Sequence, residues 1–341
     1  MPTMRAVVLE HTRPLEQNPL RVTDIPRPEP GPGEVLVRIA ACGVCRSNLH
    51  MIEGDWVHNN CPGTLPIVPG HEIVGRVETL GPGVTELAKG DRVGIMPMWS
   101  SCGVCRYCMT GREQLCQTKQ MTGETRDGGY AEYVLAAVGH AYRVPENLSD
   151  AEAAPLFCPG ITAYGSVKKA DAAPGKRIAL FGMGGVGHMV LQLIKHHGAD
   201  AVVVARSARH LDLARRLGAA STVDASKGDP GEALKKAGGV DAAIVFAPSN
   251  AAMSQAMTAT RPGGTIVVGA FVDVGPFFFP DEKRVIGSIL CSRQEVKEML
   301  ELAGRGLLKT VCETHPLERA VEALRRLKSG ELEARAVLVN G

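Results

Sequence analysis

The stretch Arg177-Ile-Ala-Leu-Phe-Gly-Met-Gly-Gly-Val-Gly187 decides the fold of the second half of this 341-residue chain. The apolar run Arg177–Phe181 predicts a buried strand, and the apolar spacing over Gly185–His197 predicts a helix. A glycine-rich turn between a strand and a helix is typical of dinucleotide binding, because its backbone and the helix N-terminus can hold a pyrophosphate. An ordinary glycine-rich turn is the alternative. The glycines predicted to contact a dinucleotide are Gly182, Gly184, Gly185 and Gly187.

Apolar runs and helical patterns continue to alternate after this turn, where the next predicted helix is Ala208–Leu217. Continuous apolar strands that alternate with amphipathic helices predict βαβ units. We therefore expect an α/β fold with a doubly wound parallel sheet, a dinucleotide-binding Rossmann domain, over residues 156–291. The further predicted strands of this domain are Ala201–Ala205, Ala242–Phe246, Thr265–Gly269 and Arg284–Leu290.

The first part of the chain has the pattern of a β-rich domain. Short alternating stretches such as Glu34–Ala40 and Ile73–Leu80 are separated by turns rich in proline and glycine. A last predicted strand, Ala334–Val339, follows the α/β domain, and we expect it to return to the first one. The β-rich domain is therefore predicted to be discontinuous and to consist of residues 1–155 and 292–341.

The composition argues against several classes of partner. The chain has 38 Lys+Arg against 36 Asp+Glu, a net charge of +2, so it has no basic surplus for nucleic acid or an anionic membrane. No apolar run approaches the roughly 18 residues of a membrane span. The N-terminus lacks the apolar core of a signal peptide. We therefore expect a cytoplasmic protein with no membrane or nucleic-acid partner.

Ten cysteines stand out in a chain expected in a reducing compartment, where clustered cysteines more often bind metal than form disulfides. Four of them have C-x₂-C-x₂-C-x₇-C spacing within residues 98–118. Four thiolates close a tetrahedral shell around zinc without an open position, so we predict a structural zinc lobe there. Disulfides, free thiols and an iron–sulfur cluster are the alternatives. The four predicted ligands are Cys102, Cys105, Cys108 and Cys116.

The second strand of the α/β domain ends without an acidic residue. An acid at that place normally binds the adenosine ribose of NAD, whereas this chain has Ala205 followed by Arg206. A small residue followed by arginine suits a 2′-phosphate, so NADP(H) is favoured and NAD(H) is the alternative. Arg206 or Arg209 is the predicted phosphate partner. An arginine that is merely solvated is the other interpretation.

Three further segments contain candidate metal ligands: Cys42-Gly-Val-Cys-Arg-Ser-Asn-Leu-His50, Gly70-His-Glu72 and Leu156-Phe-Cys-Pro-Gly160. Each alone is also compatible with ordinary packing or a loop. Taken in order with the four-cysteine lobe and the glycine turn, they resemble the zinc-dependent medium-chain alcohol dehydrogenases over nearly the whole chain. Gly187-His-Met189 is similar to the cinnamyl-alcohol-dehydrogenase-like branch, which mostly uses NADP(H).

The resemblance implies a catalytic zinc in addition to the structural one. Its ligands would be Cys45, His71 and Cys158, which leave one position open for water or substrate. Glu72 is similar to the acid that lies beside the metal in the family. Asn48 stands where the family usually has aspartate, so the hydrogen-bond partner of the histidine ligand would be neutral here. Packing roles are expected for Cys42, Cys61, Cys291 and Cys312.

The resemblance also implies how the reaction proceeds. A hydride would pass reversibly between a zinc-bound alcohol or aldehyde and nicotinamide C4, with Ser47 and His50 relaying the proton. Arg46 and Arg335 resemble residues that contact the cofactor pyrophosphate. The residues similar to those that support the nicotinamide ring are Thr162 and Val186.

The substrate pocket is expected to be apolar, which favours small apolar alcohols and aldehydes. Trp56, and Met98 or Trp99, match positions of its walls, although Trp56 is equally compatible with a plain core role. A homo-oligomer, dimer or tetramer, is implied by the family alone. The alternatives are a zinc-free quinone or enone reductase, a polyol dehydrogenase of the same family, and a non-catalytic zinc-stabilised nucleotide-sensing module.

Overall fold

The structure, a computed structural model, describes residues 2–340, and these form two compact units. The first unit contains the described chain up to Cys158, the segment Ser292–Gly304 and the chain from Thr310 onward. The second unit contains Pro159–Cys291 and Arg305–Lys309. The sequence predicts the division after residue 155 and the return at residue 292.

The regular elements are numbered in chain order. The strands are β1 Thr3–Leu9, β2 Leu20–Pro26, β3 Glu34–Gly43, β4 Ile73–Leu80, β5 Arg92–Ile95, β6 Met98–Ser100, β7 Gln120–Met121, β8 Tyr133–Ala137, β9 Ala141–Arg143, β10 Arg177–Phe181, β11 Asp200–Ala205, β12 Ser221–Asp224, β13 Val240–Val245, β14 Thr260–Val268, β15 Arg284–Gly287, β16 Cys312–Pro316 and β17 Arg335–Val339. The α-helices are α1 Arg46–Glu53, α2 Asp150–Ala153, α3 Pro159–Lys169, α4 Gly187–His196, α5 Ala208–Arg216, α6 Pro230–Lys236, α7 Asn250–Ala259, α8 Arg293–Gly304 and α9 Ala320–Ser329. Among the described residues, no helix has the length and apolar character needed to cross a membrane.

The second unit is built on a six-stranded parallel sheet with the order β12-β11-β10-β13-β14-β15. Its central strand β10 places Leu180 between Val203 of β11 and Ile244 of β13. All three side chains are buried, because helices cover parallel sheets on both faces and select continuous apolar strands. The order reverses between β10 and β13, where doubly wound sheets bind ligands at the carboxyl ends of their strands. The predicted α/β class with a doubly wound sheet is confirmed.

The boundaries differ from the prediction where local backbone geometry overrides the apolar pattern. The strand predicted to reach Leu290 ends at Gly287, and Leu290 itself has a left-handed backbone with φ 47°. Helix α4 begins at Gly187 instead of Gly185, because Gly185 still belongs to the turn. Strand β12 was not predicted, since its Ser-Thr-Val-Asp sequence contains no apolar run.

The first unit is built on a mixed sheet with the order β16-β17-β3-β4-β5-β9, in which β8 also pairs with β3. The C-terminal strand β17 runs antiparallel to β3, with Leu338 opposite Cys42, and parallel to β16. Strand β17 thus lies between β16 and β3, in a sheet that begins in the N-terminal half. Strand β3 leads into the loop that carries Cys45, and β4 starts directly after Glu72.

A close contact between β5 and the segment before Cys158 fixes one corner of this unit. Gly94 lies against Phe157, whose side chain is fully buried. A Cβ atom on Gly94 would lie 1.9 Å from the Phe157 ring, which no real packing allows. The missing side chain at position 94 therefore lets Phe157 fill the core, and the position of Phe157 sets that of Cys158.

We expect Gly94→Ala to destabilise the first unit, because the new methyl group must displace a buried ring. Overpacking of this kind costs about 1–3 kcal/mol, so the Tm measured by scanning calorimetry should fall by about 2–10 °C. The matched control is Gly287→Ala, another strand glycine, around which a Cβ would meet nothing within 4 Å. An equal loss of Tm in both variants would contradict the contact with Phe157.

Candidate active site

The glycine turn of the second unit leaves one stretch of backbone open at the start of α4. Gly182 has φ 106°, and a Cβ there would lie 2.8 Å from the Ala247 nitrogen. A Cβ on Gly187 would lie 2.0 Å from the Gly182 oxygen, so both positions require glycine. A Cβ on Gly184 would meet nothing within 4 Å. The turn therefore fits a group that approaches the backbone at Gly184, as a pyrophosphate does.

Strand β11 ends without an acidic residue, at the place where the sequence predicts the adenosine ribose of the cofactor. Ala205 is buried at the last strand position, and Arg206 is exposed immediately after it. The neighbouring strand β12 ends in Asp224, opposite Ala205 in the register. The Asp224 carboxylate accepts hydrogen bonds from the backbone nitrogen of Ser226 (2.9 Å) and from its hydroxyl (2.6 Å). The carboxylate at this edge of the sheet is thus engaged with its own turn.

The four cysteines of the predicted lobe converge. Their sulfur atoms all lie within 4.8 Å of one another, and all ten cysteines of the chain are free of disulfides. The Cys105 sulfur lies 3.5 Å from that of Cys108, which is itself 3.9 Å from the sulfur of Cys102. Hydrogen bonds from the Cys102 region and from Thr118 lower the pKa of Cys116 to about 6, so this thiol ionises readily. The donor set fits a closed, tetrahedral zinc site.

A second convergent group lies where three segments of the first unit meet. Cys45 ends the loop before α1, His71 precedes β4, and Cys158 follows the turn that contains Phe157. The two sulfur atoms are 3.8 Å apart, and the ligand atoms of all three residues lie with a Glu72 oxygen within 4.8 Å of one another. His71 is 1% exposed, whereas both cysteines are partly exposed. The group therefore has a buried side and an accessible side.

The protonation of the two thiols also fits a cation at this place. A hydrogen bond from Cys158 lowers the pKa of Cys45 well below its usual value, and the same contact raises the pKa of Cys158. Burial lowers the pKa of His71, but the Cys45 thiolate outweighs burial and raises it overall. Two thiolates and one imidazole are a zinc donor set, and binding would displace the remaining thiol proton.

Asn48 lies directly behind the imidazole of His71. Its Nδ2 atom is 3.3 Å from His71 Nδ1, and its Oδ1 atom is buried without a hydrogen-bond partner. An imidazole that binds a metal through Nε2 carries its proton on Nδ1 and requires an acceptor there. Rotation of the amide by half a turn brings Oδ1 to that position. Asn48 can therefore orient the ligand, but it supplies no charge.

A buried ion pair supports the other side of the group. Glu72 is 0% exposed and accepts a hydrogen bond from Arg335 Nη2, which is part of a side chain 4% exposed. Burial raises the pKa of Glu72, but the Arg335 guanidinium opposes this shift and stabilises the carboxylate. A Cβ on Gly43 would lie 1.9 Å from a Glu72 oxygen, so the carboxylate fits only beside glycine. Arg335, which the sequence predicts at a pyrophosphate, is the counter-charge of Glu72.

The predicted proton-relay residues lie on the accessible side. The Ser47 hydroxyl donates to the Cys45 sulfur (3.0 Å) and lies 3.3 Å from His71 Nε2. His50 is on the next turn of α1, where its Nδ1 atom is 2.6 Å from an Asp55 oxygen. Asp55 was not predicted from the sequence, although its position five residues after a candidate relay histidine is a usable signal.

Four further residues were predicted to contact the cofactor or to line the substrate pocket. Arg46, expected at the pyrophosphate, is exposed and donates to the Leu327 carbonyl oxygen (3.0 Å). Thr162 is partly exposed on α3 of the second unit, and Val186 directly precedes α4. The ring of Trp56 is partly exposed, 5.2 Å from that of His50.

Met98 and Trp99, the other predicted pocket-wall residues, are buried. Met98 is fully buried, and Trp99 is 9% exposed. The Trp99 indole nitrogen donates to the Leu135 carbonyl oxygen (3.2 Å), and Arg126 lies 4.8 Å above the ring. Both side chains therefore pack within the unit, and Trp56 alone of the three predicted wall residues has an accessible face.

Comparison with known proteins agrees with this geometry. Residues 31–146 match the family model of the alcohol dehydrogenase GroES-like domain, and residues 185–305 match that of the zinc-binding dehydrogenases. The chain is 42% identical to an alcohol dehydrogenase of Geobacillus stearothermophilus, over 98% of this chain and 99% of the relative. The chain belongs to the zinc-dependent medium-chain alcohol dehydrogenase family. It is an enzyme, an NAD(P)-dependent alcohol dehydrogenase, and not a non-catalytic nucleotide-sensing module.

Solved structures similar to this dehydrogenase include proteins described with each of the two nicotinamide cofactors. One is an NAD-dependent alcohol dehydrogenase, 32% identical, with a TM-score of 0.90 and coverage of 99% of this chain and 100% of the other. Another is a putative zinc-binding dehydrogenase of Sinorhizobium meliloti 1021 bound to NADP. It is 29% identical, with a TM-score of 0.87 and complete coverage of both chains.

We expect Arg335→Met to destabilise the dehydrogenase strongly, because it leaves the Glu72 carboxylate buried without its counter-charge. Loss of one partner of a buried pair costs about 3–5 kcal/mol, which scanning calorimetry should record as a large fall in Tm. The double variant Arg335→Met with Glu72→Gln removes the uncompensated charge and should recover most of the loss. A double variant as unstable as the single one would show that the ion pair is not the cause.

Proposed function

We propose that this dehydrogenase interconverts small alcohols and their carbonyl compounds by hydride exchange with NADP(H), and that it holds two zinc ions. The observation that carries the proposal is the convergence of Cys45, His71 and Cys158, in which both cysteines are partly exposed and the histidine is buried. Three protein ligands with one open side are typical of catalytic zinc, whereas the four-cysteine lobe is typical of structural zinc.

The ligands have a role of their own in the proposed chemistry. Zinc, when bound there, would supply a Lewis acid that lowers the pKa of an alcohol hydroxyl. Two thiolates offset the charge of the cation, so a substrate oxygen is not retained too strongly. The neutral Asn48 amide holds the imidazole in one orientation, and the Arg335–Glu72 pair keeps the buried wall of the site neutral overall. These residues orient and tune the site without accepting the hydride.

The proton leaves through side chains on the accessible side. The Ser47 hydroxyl can accept a proton from the substrate hydroxyl while it donates its own, because a hydroxyl is both donor and acceptor. His50 is the proposed outer group, since a histidine can exchange protons with solvent near neutral pH. The 2.6 Å contact with Asp55 fixes the proton of His50 on Nδ1, which leaves Nε2 for the transfer.

The preference for NADP(H) is supported by the end of β11. Buried Ala205 supplies no carboxylate for the ribose hydroxyls, and exposed Arg206 supplies a positive charge beside them. The carboxylate of Asp224 on the neighbouring strand is occupied by Ser226. The arrangement is similar to that of enzymes that accept a 2′-phosphate.

The zinc proposal predicts two ions for each wild-type chain, measured by elemental analysis of purified protein. We expect Cys45→Ser to leave one ion and to reduce turnover by several orders of magnitude, because the catalytic site loses a ligand. Cys105→Ser should also leave one ion, but with a lower Tm, because the lobe loses its closed shell. The matched control is Cys312→Ser, which should keep both ions. Two zinc ions per chain in either ligand variant would contradict the assignment of the site that the variant alters.

The cofactor proposal predicts that reduced-nicotinamide absorbance at 340 nm rises at least tenfold faster with NADP⁺ than with NAD⁺, at equal subsaturating concentrations and with one panel of alcohols. We expect Ala205→Asp to reverse this order, because the new carboxylate repels a 2′-phosphate and accepts ribose hydroxyls. Arg206→Ala and Arg209→Ala, tested separately, identify the phosphate partner. A wild-type preference for NAD⁺ would overturn the cofactor proposal and leave the zinc chemistry intact.

A further inference from the structure

One carboxyl group near the metal ligands has no part in the chemistry proposed above. Glu124 lies in the turn that follows β7, and it is only partly exposed. Its carboxyl oxygens do not belong to the group formed by the ligand atoms of Cys45, His71, Glu72 and Cys158. A half-buried acid beside a catalytic centre needs a partner or a use.

The turn that carries Glu124 is locked to the backbone beside His71. A Cβ on Gly123 would lie 2.8 Å from the oxygen of Gly70 and 2.9 Å from its nitrogen. A Cβ on Gly128, on the far side of the same turn, would lie 2.0 Å from that oxygen. These two glycines therefore let the turn pack directly on Gly70. The residue after Gly123 is thus held close to the residue after Gly70, which is the metal ligand.

The other side of Glu124 faces the segment that carries Trp56. The backbone nitrogen of Gly63 donates to the Glu124 carbonyl oxygen (3.0 Å), and the Cys61 thiol is hydrogen-bonded to the Glu124 carboxyl. The backbone nitrogen of Cys61 in turn donates to the Trp56 carbonyl oxygen (3.3 Å). The Cys61 thiol, which contacts the carboxyl group, therefore belongs to the segment that follows Trp56, and the turn that carries Glu124 packs beside His71.

Charged groups near the metal ligands also shift the pKa of Glu124. Burial raises the pKa of Glu124, and Cys45 adds to this shift, whereas His71 and Lys119 oppose it. A hydroxyl group can donate to a carboxylate and can accept from a carboxylic acid. A neutral hydroxyl therefore matches this position in either protonation state. An alkyl chain matches it in neither, because it has no group that can hydrogen-bond the carboxyl.

We infer that Glu124 binds a second hydroxyl group of the substrate, so that diols and hydroxyaldehydes are preferred over simple alkanols and alkanals. This inference rests on the proposed function, because the first hydroxyl is the one that is oxidised. It replaces the uniformly apolar pocket expected from the sequence, and it makes Glu124 a specificity-determining residue.

The test compares 1,4-butanediol with 1-butanol in the wild-type enzyme and in variants of Glu124. We expect kcat/KM for the diol to exceed that for the alkanol by about tenfold, the order contributed by a hydrogen bond to a charged group. Glu124→Leu should abolish this ratio, and Glu124→Gln should retain part of it, because an amide oxygen still accepts from a hydroxyl. Glu29→Gln, which removes an exposed carboxylate from the same unit, is the matched control and should leave the ratio unchanged.

A second measurement does not depend on turnover. Butanamide and 4-hydroxybutanamide resemble the corresponding aldehydes but cannot be reduced, and their Kd values are measured by quenching of bound reduced cofactor. We expect the hydroxyl to tighten binding about tenfold in the wild type and to give no gain in Glu124→Leu.

The outcomes separate this inference from the proposed function. Oxidation of both alcohols with equal kcat/KM, or a ratio that Glu124→Leu does not change, overturns the role of Glu124 and leaves the dehydrogenase proposal standing. Oxidation of neither alcohol by zinc-loaded wild type with either cofactor contradicts the proposed function itself. A ratio lost as completely in Glu124→Gln as in Glu124→Leu also overturns the inference as stated, because a neutral acceptor would then not suffice.

Discussion

The ion pair between Glu72 and Arg335 is the interaction on which the first unit depends. A carboxylate with no exposed surface costs several kcal/mol to bury alone, and only a guanidinium at contact offsets that cost. Arg335 belongs to the C-terminal strand β17, which must therefore enter the sheet beside β3 for the metal centre to have a stable wall. The discontinuous first unit follows from this requirement. Gly43 completes it, because no side chain at that position leaves room for the acid.

The fold of the second unit was predictable because its information is local. Strand β10 has the predicted bounds, since a continuous apolar run between a proline–glycine turn and a glycine-rich turn allows no other assignment. Strand β12 escaped prediction because it lies at the edge of the sheet, where burial does not select an apolar sequence. The end of β15 was predicted too late, because the left-handed backbone of Leu290 has no signature in an isoleucine–leucine pair.

The candidate site was predictable only where residue type and spacing carry the chemistry. The spacing of the four lobe cysteines predicts a metal site by itself. The second group of ligands, Cys45, His71 and Cys158, was predicted only from the resemblance to a family. The partner of Glu72 is 263 residues away along the chain, and no local pattern reveals such a contact. Glu124 was not predicted for a related reason. An acid in a polar turn is normally solvated, and only the packing of Gly123 on Gly70 places it near a metal ligand.

The position of β17 in the chain has a consequence for how the protein is made. All seven candidate metal ligands precede the second unit in the sequence, whereas Arg335 follows all of it. A ribosome therefore releases the complete ligand set long before it synthesises the charge that lets Glu72 be buried. During that interval the acid must remain hydrated or protonated, and the wall of the metal centre stays open. The buried wall of the site is therefore completed only when β17 pairs with β3, whose residues are synthesised almost three hundred positions earlier.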